Sequence, residues 1–118
     1  MFAERLRSIA ERIGDVRALA LVARDGIPVE SFGTTSELDL EVLCAELLAQ
    51  VRVMNEDHRD LGAGPVRQLA LATDRLTLLI ARLTDNYYLL AALPAGFEVG
   101  RARFELRRAQ LLFEADLV

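Results

Sequence analysis

The sequence predicts a fold of the broad α/β class, more narrowly α+β: a five-stranded antiparallel sheet with helices on both faces. Three observations predict it. Apolar residues recur at spacings of three and four near the start, in the middle and near the end, which marks three helices. Five short apolar runs lie between them, and those joined by tight turns must pair antiparallel. Alternate positions in 76–83 and 87–93 are apolar on both sides, and a sheet apolar on both faces must be covered on both.

The chain has 118 residues, the size of one domain spanning 1–118. With 53% hydrophobic residues it can bury a core and is not a disordered polymer. The net charge is −4, which opposes a general polyanion binder. All 14 basic residues are arginine, which reads as codon bias rather than function. Cys44 is the single cysteine, so no internal disulfide forms, and a reducing, cytoplasmic setting is expected. The longest apolar run, 18–23, is far short of a membrane span of about 20 residues. Glu4, Arg5, Arg7, Glu11 and Arg12 interrupt any leader-like stretch. A soluble protein without a membrane span is expected.

Phe2, Leu6, Ile9 and Ile13 share one helical face, and Gly14 supplies the stop. Residues 16–23 form a buried strand. Asp25-Gly26 is a hairpin turn signal. Residues 27–32 return as a second strand, and Pro28 assigns it to a sheet edge because proline donates no ladder hydrogen bond. Ser36 with Asp39 fits a capping box opening a helix over about 37–60, which Gly62-Ala63-Gly64-Pro65 ends. Strands follow at 66–73, 76–83 and 87–93, with Asp74-Arg75 and Asp85-Asn86 at the turns. A last helix covers about 97–117.

Catalytic chemistry finds little purchase in these residues. A Walker loop needs a lysine, and there is none. Gly62-Ala63-Gly64 follows a helix and precedes a strand, the reverse of a dinucleotide loop's context. His58 and Cys44 are fourteen residues apart on one helix, roughly 21 Å along its axis, so they form no catalytic pair within a chain. His58 reads as a partly buried helix-end residue and Cys44 as a small buried one. Glu56, Asp57 and Asp60 read as a solvated helix end. Arg101, Arg103, Arg107 and Arg108 read as stems lying over apolar surface, with Phe104 at core-like spacing. No catalytic residue, metal site or cofactor is expected, and no nucleic-acid partner.

The second helix carries the informative pattern. Leu40, Leu43, Leu47, Val51 and Met54 form a stripe for the sheet. Leu38, Val42, Ala45, Ala49 and Val53 form a second, smaller-sided stripe opposite, where a surface helix is ordinarily polar. Either a second copy of the same helix or another protein covers it.

The element order, the hairpin over 18–31, Tyr87-Tyr88-Leu89-Leu90 and the stretch 100–109 beginning Gly100-Arg101-Ala102-Arg103-Phe104 together resemble the roadblock/dynein-light-chain family. The resemblance covers nearly the whole chain and is greatest to the bacterial MglB-like branch, partners of Ras-like gliding-motility GTPases. It implies a roadblock-like (profilin-like) sheet of order 2-1-5-4-3. It implies a homodimer in which third strands pair and second helices lie side by side, with pairing to another roadblock chain as the alternative. The dimer edge strand is then Arg67, Gln68, Leu69, Ala70, Leu71 and Ala72. The run 66–73 has no Pro or Lys, and an unprotected edge of that length invites pairing. The resemblance further implies that Val42, Ala45, Glu46, Ala49, Arg52, Val53 and Glu56 contact a small Ras-like GTPase. The expected function is a non-enzymatic, GTPase-activating or co-regulatory dimer, and the alternative is a scaffold or adaptor without effect on hydrolysis. Hydrolysis needs an oriented water and charge stabilisation at the phosphate. The resemblance implies remodelling of the GTPase rather than an arginine finger, with Arg52 and Arg75 as the residues to test.

Overall fold

A computed structural model describes residues 2–33 and 39–114, and side chains throughout these except at 58–60 and 114. The order is α1 (Phe2–Ile13), β1 (Ala18–Ala23), β2 (Pro28–Phe32), α2 (Leu40–Leu61), β3 (Gln68–Ala72), β4 (Leu76–Arg82), β5 (Tyr87–Pro94) and α3 (Val99–Glu114). The strands form one antiparallel five-stranded sheet in the order β2-β1-β5-β4-β3. The predicted fold class, element order and sheet order are all present.

Period-two alternation divides the central strands between two cores. Leu19, Leu21, Leu79, Ala81, Leu89 and Leu93 face α1 and α3, and they pack with Leu6, Ile13, Leu106 and Phe113. Val22, Leu78, Ile80 and Leu90 face α2, where Cys44, Leu47, Leu48 and Val51 cover them. The stripe of α2 read from the sequence omitted Cys44 and Leu48, both fully buried. It included Leu40, Leu43 and Met54, which are partly buried at the margin. The sheet-facing stripe is wider than a spacing of three and four from Leu40 implies.

The ends of the elements depart from the expected ones for local reasons. Gly14 (φ 79°) and Asp15 (φ 48°) turn the chain out of α1, so β1 begins at Ala18 rather than 16. Helix α2 begins at Leu40, not 37. Its cap is Asp39, whose Oδ1 accepts from the Val42 N–H at 3.2 Å. The expected Ser36 box and Leu38 lie outside the described residues, as do the side chains of His58 and Asp60. Strand β3 begins at Gln68, so Arg67 precedes the edge strand to which it was assigned. Asn55 Oδ1 of α2 accepts the Val66 N–H at 2.7 Å and holds the entry to β3 there. Phe104 is a larger correction. It is 64% exposed, because Ala102, Leu106, Ala109 and Phe113 supply the buried face of α3.

The β1–β2 turn presses against α2. Gly26 has φ 93°, and a Cβ placed there would lie 3.0 Å from the Ala45 Cα. Register shifts between Leu21 and Val22, where Val22 pairs with Pro28. The edge expected from Pro28 is therefore both irregular and poor in donors. Leu48 is fully buried between α2 and the sheet. Leu48→Ala is expected to lower unfolding free energy by about 2–5 kcal/mol, read as a lower midpoint in urea with an unchanged slope.

Candidate partner-binding surface

Helix α2 has 22 residues, about 33 Å at 1.5 Å per residue. Its inner face is committed to the sheet. On the opposite face Val42 is 51% and Val53 52% exposed. Ala45, Glu46 and Glu56 are exposed beside them, and Ala49 is half-buried. At about 100° per residue these positions share one side of the helix with Arg52. The outer stripe read from the sequence is thus present as an open apolar strip flanked by charge.

Arg52 is tethered. Its Nη1 donates to the Arg24 carbonyl at 3.1 Å, linking α2 to the arm of the β1–β2 hairpin. Asp25 Oδ1 accepts the Ile27 N–H at 3.0 Å and shapes the hairpin tip. Ile27 is left 63% exposed next to Glu41 and Ala45, around a small cleft shared by hairpin and helix. Ile27 extends the apolar strip of α2 onto the hairpin. The sequence showed the Asp25-Gly26 turn, but nothing in it said which helix the turn would touch.

Strand β3 is the other open feature. Gln68, Ala70, Leu71 and Ala72 are exposed, Leu69 is half-buried, and the strand ends the sheet. Its inner side pairs with β4 from Gln68↔Ala81 to Ala72↔Thr77. Thr73 closes the following turn by exchanging hydrogen bonds with Leu76 through Oγ1 at 3.0 Å. Arg75 sits in that turn and is exposed.

The candidate reactive groups fall elsewhere. Cys44 is buried under α2, where burial, with the Glu41 charge adding, pushes its thiol up to about 11. A protonated thiol is a poor nucleophile. Arg101, Arg103, Arg107 and Arg108 are exposed on α3. Among the described residues no three His, Cys, Asp or Glu side chains gather to hold a metal ion. No described helix is long and apolar enough to cross a membrane.

The architecture defines a class, the α+β domain with one helix on one sheet face and two on the other, and solved structures give that class its name. A roadblock/LC7 domain from Streptomyces avermitilis superposes with a TM-score of 0.86 at 14% identity, covering 98% of this chain and 96% of that one. Myxococcus xanthus MglB gives 0.83 at 15% identity over 96% and 94%. Myxococcus xanthus MglC gives 0.69 at 28% identity over 98% of both chains. No family model matches the sequence, and no curated protein matches it. The chain has the roadblock/LC7 fold, as its hairpin and its final strand and helix implied.

The buried thiol has a consequence for pH. Its folded pKa lies above the ordinary value of 9.0, so the unfolded chain loses this proton first. The stabilisation is complete below pH 9 and is lost as pH rises towards about 11. Between those limits Cys44→Ala is expected to flatten the decline of stability by an amount on the order of 2 kcal/mol, measured by urea unfolding across alkaline pH.

Proposed function

We propose that this chain is a non-enzymatic homodimeric regulator of a small Ras-like GTPase, of the MglB-like kind. The observation that carries the reading is the exposed apolar strip of α2, continued by Ile27 and lying on the same domain as an uncovered edge strand. At half exposure Val42 and Val53 leave apolar surface in water that the fold of this chain alone does not use. Two surfaces of different kinds fit two kinds of contact. The β3 edge offers backbone donors and acceptors to a second copy. The α2 strip offers small apolar side chains ringed by Glu46, Arg52 and Glu56 to a GTPase.

The tether on Arg52 supports remodelling over an arginine finger. A finger must be free to reach the phosphate, and Arg52 is engaged with the Arg24 carbonyl of its own chain. Arg52→Ala and Arg75→Ala are therefore each expected to leave stimulation of hydrolysis within a few-fold of the parent. A loss of several hundredfold at either would reveal a finger.

The deciding experiment uses the purified protein and a Ras-like GTPase from the same organism. Complex formation is measured in both nucleotide states, and GTP turnover with and without this chain. GTP-selective binding with faster turnover is the expected result. Binding without acceleration would move the protein to the adaptor class. Ala49→Arg is expected to abolish GTPase binding while leaving the circular dichroism spectrum and thermal midpoint nearly unchanged. Sedimentation of the same variant separates loss of the partner from loss of the dimer.

A further inference from the structure

Four of the 14 basic residues surround one open groove of about 940 Å³. Arg67 and Arg82 stand together because the Arg82 N–H donates to the Arg67 carbonyl at 2.8 Å, just ahead of β3. Arg103 and Arg107 are four residues apart on α3 and so share a face. All four line the groove, and none of its described lining residues is acidic. Their one ion pair among the described residues is Arg82 with Asp85 at 3.7 Å, and Asp85 is 91% exposed, so it neutralises little.

This arrangement runs against the rest of the molecule. The chain is net acidic, so its overall field repels anions and the cationic groove is a local feature. Arginines four apart on a helix also repel each other. The groove is not purely polar: Leu111, 71% exposed, stands at its wall, with the buried Leu106 and Val66 behind it. A small inorganic anion would answer the guanidinium groups and leave Leu111 in water. A flat bilayer would not enter a concavity. A polypeptide segment carrying both carboxylates and apolar side chains satisfies both, with carboxylates taken in bidentate fashion by arginine forks.

We propose that this groove binds an acidic peptide segment with interspersed apolar residues, presented by a partner protein. The proposal is separate from the GTPase contact, although Arg67 and Gln68 place one end of the groove beside the β3 edge. Helix α2 contributes only Met54 to the described lining, and its outer strip contributes nothing.

The test is a selection of randomised linear peptides on the intact protein, followed by titration of a labelled synthetic copy of the leading sequence. Peptides enriched in Asp and Glu between apolar positions are expected, with binding that weakens as salt is raised. Arg103→Glu/Arg107→Glu is expected to weaken that binding at least about tenfold, and Arg12→Glu on α1 to leave it unchanged. Arg103→Gln/Arg107→Gln gives the same reading with less charge repulsion should the first pair not fold. Selected peptides without acidic excess, or binding indifferent to both double variants, would overturn the proposal. Saturable binding of inorganic phosphate, with no linear peptide selected, would assign the groove to a small anion instead. Retention on phosphatidylserine vesicles through the same arginines would assign it to a membrane surface. Loss of self-association in the double variants would assign it to a second copy. Each of these three would also overturn the proposal.

Discussion

The fold depends on a sheet whose central strands are apolar on both faces. In β1, β5 and β4 the alternation sends Leu19, Leu89 and Leu79 to one side and Ala20, Leu90 and Leu78 to the other. Neither face can be left in water, since each apolar side chain buried is worth about 1.5–3 kcal/mol. One face takes α1 and α3 together. The other takes α2 alone, which explains the length of α2 and the fully buried stripe from Cys44 to Val51. Once α2 is pinned in this way, its opposite side is free to carry side chains that serve something other than the fold.

The two sheet edges are handled differently. At β2, Pro28 and the adjoining register shift make an edge that cannot extend evenly into another chain. At β3 no such device is present, and its ends are fixed instead. Asn55 holds the entry and Thr73 the exit, so the strand is presented at a set position while its outer side remains open. An edge anchored at both ends suits strand addition, because pairing then costs less ordering of the strand that receives it.

Charge is distributed by purpose as well. Arg52 works as a strut, fastening hairpin to helix through one carbonyl, and Gly26 lets the hairpin sit close enough for that reach. Arg82 meets Asp85 in an exposed i,i+3 pair of small energetic weight. The arginines of α3 instead face outward with Phe104 and Leu111 among them. An exposed aromatic between guanidinium groups contributes nothing to either core, which is why core-like spacing misplaced Phe104. A helix has three- and four-residue spacings on every side, and only packing shows which side meets the sheet.

The sequence by itself determined the class and order of the elements. Apolar periodicity, the Asp25-Gly26 turn, Pro28 and the two-faced strands are local signals, and each acts through backbone geometry or side-chain burial within a few residues. The outer stripe of α2 was legible for the same reason, since Val42, Ala45, Ala49 and Val53 depart from an expected polar face. Tertiary structure decided what lies between elements distant in the chain. It placed Ile27 beside Ala45, fastened Arg52 to Arg24, set Asp39 as a cap on the start of α2, and brought Arg67 and Arg82 to the same groove as Arg103 and Arg107. Such neighbours are set by how two cores close around one sheet, and no spacing along the chain encodes that closure.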